Sequence, residues 1–521
     1  MKKFMIDSSD FERFIKDGYA YVDKTEIIHK LVSNTMGSKF FLSRPRRFGK
    51  SLLLSTIKYM FQGRRDLFKG LKIDSLDFNW DETYPVLHLN MNECTGSIER
   101  VKHMLKSQLN DLANAAGIAI NDDIEPAVML RAIIDSLVAQ SSNKQIVLLV
   151  DEYDKPLLDH IGTKEVLPYQ TFIKEFYTVI KDTEQYQRFT LITGVSKFSH
   201  VSIFSGLNNL VDLTMHPVAA TLLGYSHEEM HTNFKENIQA LAEANNLDYD
   251  GVFQRLIFQY DGYRFASAPT KVFNPVSIAN VFMSHEFKNY WFATGTPGWL
   301  VSYMKQKPCF LADKIHVSEI ALNTFDPENL EMLPLLLQTG YLTIADVNDN
   351  FGEFNYTLDF PNNEVRIGFS KWLMNAYVSD NINQNETIQA AMVRAINLGG
   401  AENFVENLKK LFASIPYNLQ DKFKIEQAYQ VVVYIVCVYC GVQAHAEHIT
   451  NKGRIDIFIE APDFAYIIEM KLDKPAQEAI DQMYEKGYHE QFKNSGKKLF
   501  LMGLSFSSEE KNITDHIIEK L

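Results

Sequence analysis

Between residues 37 and 220 the chain alternates short apolar runs with stretches of helical period. KFFLS from Lys39, YPVLHLN from Tyr84, IVLLV from Ile146 and FTLITGV from Phe189 predict strands. Helices are predicted between them, starting at Lys50 and spanning about 98–115 and about 167–182. Apolar strands separated by helices mark a parallel sheet covered on both faces. From about 225 to 340 the pattern is mainly helical, with EEMHTNFKENIQALAEA and NLEMLPLLLQTG as the clearest segments. Residues 341–369 turn to short strand-like runs (GYLTIADV, FNYTLDF, EVRIGF) broken by Asn348-Asp349-Asn350 and Pro361-Asn362-Asn363. A helix followed by a small hairpin resembles a winged-helix module. Residues 370–440 read as helical. The end returns to strands (RIDIFIE, AYIIEMK, KKLFLMGLSF) enclosing a helix predicted over Pro475–Phe492.

This patterning predicts an α/β multidomain chain. A parallel-sheet domain over 1–220 is followed by a helical lid and winged-helix-like connector over 221–370. An α/β domain over 371–521 completes it. At 521 residues the chain is too long for one core, which agrees with three segments.

The net charge of −13 argues against coating nucleic acid by bulk electrostatics, so any nucleic-acid contact has to be argued from a local site. The longest apolar run, VVVYIVCVYCGV from Val431, is short of the roughly 20 residues of a bilayer span and reads as buried core. The start, MKKFMIDSSDFERF, lacks the apolar stretch of a signal peptide. Cys437 and Cys440 form a C-x-x-C without a second pair at zinc-site spacing, and inside the apolar run they read as buried thiols. A cytoplasmic location with no membrane association fits.

Lys50-Ser51 follows the strand KFFLS and the loop Arg44-Pro45-Arg46-Arg47-Phe48-Gly49, and opens a helix. That is the context of a phosphate-binding loop. Main-chain N–H groups of Arg46 to Ser51 hold phosphate oxygens, Lys50 neutralises their charge, and the Ser51 hydroxyl ligates Mg2+. Arg44 stands where the generic motif has glycine. IVLLV runs directly into Asp151-Glu152, two carboxylates at the edge where α/β sites lie. Asp151 is expected to hold Mg2+ and Glu152 to polarise the attacking water. The next strand ends in Thr193-Gly194, where a polar sensor of the γ-phosphate is expected. ATP with Mg2+ is the implied ligand.

Arg454–Glu460 and Tyr466–Lys471 both alternate polar and apolar residues about the turn Ala461-Pro462-Asp463-Phe464. A hairpin centred there puts Asp456 opposite Glu469 and Arg454 opposite Lys471. Opposed carboxylates repel, and a divalent cation between them removes the repulsion. Lys471 shares a strand face with Glu469, so its ammonium can reach the charge developing on a phosphate. The bland alternative is a solvated patch of two acids and two bases.

Tyr21-Val22-Asp23-Lys24-Thr25, Ser43 to Ser51, Asp151-Glu152-Tyr153-Asp154-Lys155-Pro156-Leu157, Thr193 to Phe198 and Tyr260-Asp261-Gly262-Tyr263-Arg264-Phe265 together resemble the predicted AAA-ATPase-like family of gut bacteria. That family usually carries a C-terminal PD-(D/E)XK nuclease domain, and Arg at position 44 belongs to its pattern. The resemblance implies that Tyr21, Asp23 and Lys24 lie near the nucleotide base, and it makes Arg264 a candidate arginine sensor or a structural arginine. Gly453-Arg454-Ile455-Asp456 with Ile468-Glu469-Met470-Lys471 is similar to the D…E-x-K core of the nuclease superfamily, so the resemblance implies a P-loop AAA-like domain over 1–220 and an α/β restriction-endonuclease-like domain over 371–521. Glu426 falls where that superfamily places a metal-orienting Glu, and Asp481-Gln482 with Lys486-Gly487-Tyr488 resemble its supporting helix.

The expected function is an ATP-controlled nuclease using Mg2+, or Mn2+, at Asp456, Glu469 and Glu426. Nucleic acid, DNA first, is the expected partner, and self-association into a homo-oligomer is left open. The resemblance extends this to defence against foreign DNA. A nucleotide-switch signalling protein, or a DNA-remodelling ATPase whose C-terminal domain binds without cutting, are the alternatives.

Overall fold

The computed structural model describes residues 1–521 except 34, 122, 159, 162–164, 198–209, 292–299, 301–302, 304–314, 324–330, 351–352, 378–381, 415–425, 440–441, 450–452 and 493–495. Two compact units result. The first comprises 1–299 and 316–364, the second 300–315 and 365–521. The region expected as a connector thus packs largely with the N-terminal segment. Ala20 and Val22 share a buried cluster with Met230, Phe234, Ile238, Leu256 and Phe282.

In the first unit, β1 (Lys39–Ser43), β2 (Val86–Asn90), β3 (Ile146–Asp151), β4 (Gln187–Gly194) and β5 (Val211–Asp212) form one sheet, all parallel, in the order β2-β3-β4-β1-β5. β3 is buried at every position, as its unbroken apolar run requires in a covered sheet. The order sets β4 between β1 and β3, so Ser43, Gly194 and Asp151 end neighbouring strands on one edge. The helix Lys50–Phe61 starts there with Gly49 as its N-cap at φ 96, a left-handed conformation suited to glycine. The helix Pro126–Gln140, with proline in its first turn, was not anticipated.

The helix Met332–Thr339 precedes the hairpin of β7 (Thr343–Asn350) and β8 (Glu353–Asp359), with β6 (Ile315–Ser318) added alongside β8. The predicted strand EVRIGF is instead the start of a helix, Asn363–Tyr377. Val365 and Phe369, one turn apart, are both buried, and the Glu364 carboxyl anchors the first turn by accepting the Trp291 N–H and the Ser277 hydroxyl, each at 2.7 Å.

The second unit carries a mixed sheet in the order β13-β12-β11-β10-β9, from β9 (Gln443–Ile449), β10 (Arg454–Glu460), β11 (Phe464–Leu472), β12 (Lys498–Ser507) and β13 (Asn512–Lys520). Only β11 and β12 are parallel, joined through the helix Ala476–Glu485. That helix is shorter than predicted, closing at Lys486-Gly487 with Gly487 at φ 61. Cys437 is buried, and Cys440 lies outside the described residues. Among the described residues no helix is long and apolar enough to cross a membrane.

Gly262 is a point where the backbone admits no side chain. Its φ is +103°, and a Cβ there would come within 1.8 Å of the Pro361 carbonyl oxygen. Gly262→Ala is expected to destabilise the first unit by at least about 2 kcal/mol, through the positive φ and a clash with backbone. Urea unfolding of the variant against wild type checks this; an unchanged midpoint contradicts it.

Candidate functional site

The first unit holds a cleft of about 1020 Å³ at the sheet's C-terminal edge. Arg46, Arg47, Phe48, Gly49, Lys50 and Ser51 line it, together with Asp151, Glu152, Lys155, His88 and Asn90. The loop's main chain is therefore presented to the cleft at a helix start, where the helix dipole and unpaired N–H groups favour an anion. The Lys50 ammonium is buried and donates to the Arg44 and Pro45 carbonyls at 2.9 and 3.1 Å. Burial lowers its pKa, opposed by the charges of Glu152, Asp151 and Asp154. Glu152 sits half-buried at φ 52, and burial raises its pKa against the pull of Lys50.

Asp151 is the junction of this edge. Its Oδ2 accepts the Ser51 hydroxyl at 2.5 Å and its Oδ1 the Thr193 hydroxyl at 2.7 Å. Ser51 and Asp151 thus converge as a Mg2+ site on a nucleotide requires. Thr193 does not reach the cleft as a phosphate sensor, because its fully buried hydroxyl is spent on Asp151 and the Val150 carbonyl. Phe198, at the end of that motif, lies outside the described residues.

Of the residues expected near the base, Tyr21 lines the cleft, buried enough to push its hydroxyl pKa up. Lys24 also borders it, but its ammonium is bound to both Glu229 oxygens, at 2.6 and 2.7 Å, and to the Thr221 carbonyl. It ties the N-terminal segment to the segment that supplies Leu222–Tyr225 to the cleft wall. Asp23 is turned elsewhere, its carboxylate taking the Thr25 N–H and hydroxyl and the Lys72 N–H.

Arg44 and Arg264 prove structural. The Arg44 guanidinium is buried over the Phe265 ring at 4.2 Å and donates to the carbonyls of Ser43, Thr214 and Ala219. Pointing into the interior, its side chain leaves the loop's inner surface clear. Arg264 spends its donors on the carbonyls of Ala266, Ser267, Ala268 and Ala345 and is not among the residues lining this cleft. Its neighbours Tyr263 and Phe265 meet the loop's Phe48 edge-on, at 4.8 and 5.3 Å.

Sequence reasoning gave Asp154 no role. It is fully buried, accepts Val195 N–H, Ser196 N–H and the Ser196 hydroxyl at 3.0, 2.7 and 2.6 Å, and has its pKa raised by burial. It fixes the chain leaving β4 to the chain leaving β3.

In the second unit, β10 and β11 pair with Ile457 opposite Ile468, the register of the expected hairpin. The paired ladder stops there. At the next position the Asp456 N–H meets Glu469 Oε1 at 3.2 Å, and Asp456 Oδ2 takes the Met470 N–H at 2.8 Å. Burial is the first cause raising both pKa values; their mutual charge adds to it at Glu469, and Lys471 opposes it at both. The Gln482 amide donates to Glu469 Oε2 at 3.0 Å and its oxygen accepts the Lys471 ammonium at 2.9 Å, so one side chain positions two members of the set. Gln482 projects from the helix that sequence resemblance marked only as supporting.

Glu426 accepts the Leu472 N–H at 3.0 Å, and its charge reaches Asp456. Among the described residues no three His, Cys, Asp or Glu side chains converge on one point, so Glu426 stands beside the pair and does not close a three-ligand cluster. Two carboxylates nonetheless suit Mg2+, which keeps several waters and takes one or two carboxylates with substrate oxygens. The surplus of buried acid over cation at Asp456 and Glu469 is the feature that such an ion would relieve.

Asp154→Ala would strand three buried donors and is expected to cost roughly 3 kcal/mol of stability. Chemical denaturation reads this directly, and a loss below about 1 kcal/mol would contradict the assigned role.

Comparison with known proteins gives two family matches, "Predicted AAA-ATPase" over residues 5–204 and "PD-(D/E)XK nuclease superfamily" over residues 424–516. A protein of Azotobacter chroococcum mcd 1, named "Uncharacterized protein in vnfD 5'region", is 31% identical over 538 residues, covering 100% of this chain and 99% of its own length. No solved structure matches. The Arg46–Ser51 loop and Asp151-Glu152 fall within the first matched segment, the carboxylate pair within the second. The chain therefore belongs to the predicted AAA-ATPase family and carries a PD-(D/E)XK nuclease superfamily domain toward its C-terminus.

Proposed function

We propose that the chain is an ATP-controlled, Mg2+-requiring nuclease that cleaves phosphodiester bonds, with DNA as its substrate and cutting accelerated by ATP. The observation that carries this reading is the set Asp456, Glu469 and Lys471 held together by Gln482. Two acids without enough cation of their own would hold one Mg2+, with Glu426 alongside. A divalent ion there supplies Lewis-acid stabilisation of a phosphoryl oxygen. Lys471 carries a fixed positive charge toward the same place, where negative charge grows on the phosphate in the transition state.

At the other site Lys50 and the loop N–H groups would bind the β- and γ-phosphates of ATP, and Ser51 and Asp151 would hold its Mg2+. Glu152 would take the proton of the attacking water. Its raised pKa makes it a stronger base than a solvated carboxylate.

The test is cleavage of plasmid and single-stranded DNA by the full chain with Mg2+ or Mn2+, with and without ATP. Wild type is expected to cut only with the divalent ion, and faster with ATP. Glu469→Gln and Lys471→Ala are expected to lose at least about 100-fold in rate. Lys50→Ala should lose the ATP effect and keep the ATP-independent cutting. No cutting by wild type on any DNA or RNA, with ATP hydrolysis intact, would replace this reading by a domain that binds without cutting.

A further inference from the structure

Glu364 is a buried carboxyl that neither site uses. It is 1% exposed, and burial pushes it up to about 7. Its two oxygens take the Trp291 main-chain N–H and the Ser277 hydroxyl, each at 2.7 Å. Both partners lead to the nucleotide cleft. Ser277 lies on the helix Pro275–Ser284, which gives Pro275, Val276 and Ala279 to the cleft wall. Trp291 is buried edge-on against Tyr341, ring centres 5.3 Å apart, and donates its indole N–H to the Arg46 carbonyl at 3.2 Å.

That carbonyl belongs to the peptide joining Arg46 to Arg47, and Arg47 sits at φ 70. A non-glycine residue there is disfavoured by roughly 1–2 kcal/mol, so the loop needs an outside contact to keep this conformation. In a planar trans peptide the C=O and N–H point opposite ways. Fixing the Arg46 carbonyl on Trp291 therefore turns the Arg47 N–H away from Trp291 and stops the peptide from flipping.

We propose that Trp291 and Glu364 are positioning residues of the nucleotide site. Glu364 fixes Trp291 and the cleft-wall helix together, and Trp291 fixes the Arg46–Arg47 peptide in the phosphate-binding conformation. The inference rests on the reading of this cleft as an ATP site. A loop that populates its competent form for only a fraction of the time binds more weakly by that fraction, while the chemistry of the bound complex is untouched.

The test is MgATP binding to the full chain by calorimetry, with steady-state hydrolysis beside it. Trp291→Phe keeps an aromatic ring against Tyr341 and removes the indole N–H together with part of the ring. Its Kd and KM for MgATP are expected to rise about 3- to 10-fold, the scale of one hydrogen bond, with kcat within about twofold of wild type. Glu364→Ala should move the same way. Glu364→Gln, which keeps an acceptor for the Trp291 N–H, should return to wild-type affinity. Thermal melting verifies that each variant is folded, and if Glu364→Ala is not, Trp291→Phe decides alone. Unchanged MgATP affinity in Trp291→Phe overturns the proposal, as does a fall in kcat at constant KM. Wild type that fails to bind MgATP overturns the nucleotide reading itself, and this inference with it.

Discussion

Carboxyl groups removed from water must find donors or a cation, and each unit is organised around a few that are supplied in this way. Asp151 is held by the hydroxyls of Ser51 and Thr193, one from the phosphate loop and one from the neighbouring strand. Asp154 is held by three donors from the chain after β4. Those bonds fix the order in which strand ends, loop and helix meet, and so fix the floor of the cleft. Asp456 and Glu469 differ because two buried acids lie side by side, and burial raises the pKa of both. Asp154 is held by protein groups alone. Asp456 and Glu469 are left with more buried acid than cation beside them.

The phosphate loop depends on residues far along the chain. Phe48 is packed by Tyr263 and Phe265, Arg44 lies on Phe265, and Trp291 holds the Arg46 carbonyl. Gly340 lets Pro45 approach, since a Cβ there would meet its ring at 2.7 Å. The segment expected to be a separate connector is thus part of the wall behind the Arg46–Ser51 loop. The Tyr260–Phe265 motif owes its residue types to that packing, with Arg264 spent on main-chain carbonyls.

Local periodicity made much of this legible. The strand–loop–helix at Ser43–Ser51 and the apolar run into Asp151 needed only their own sequence, and the hairpin register followed from alternation about one turn. What escaped was set by partners distant in sequence. EVRIGF has the β-branched and aromatic residues of a strand, yet Glu364 is bound to Trp291 and Ser277 and the segment coils. Thr193 and Asp23 have the polarity of ligands, but their hydrogen bonds are taken by Asp151 and by Thr25 with Lys72. The edge strands Gln443–Ile449 and Asn512–Lys520 are too polar to stand out by pattern. Gln482 was marked by resemblance as part of a supporting helix, and its place between Glu469 and Lys471 needed helix and sheet together.

The central claim is that the Asp456–Glu469 pair, whose pKa values burial raises, gives up a proton when a divalent ion binds there, and proton release on metal binding tests it most directly. Titrating the full chain with Mn2+ near pH 7.5, in buffers of different ionisation enthalpy, counts protons released per ion bound. The account predicts a binding event that releases about one proton and is abolished in Glu469→Gln. Mn2+ binding whose enthalpy does not depend on the buffer, or that persists unchanged in Glu469→Gln, would contradict it.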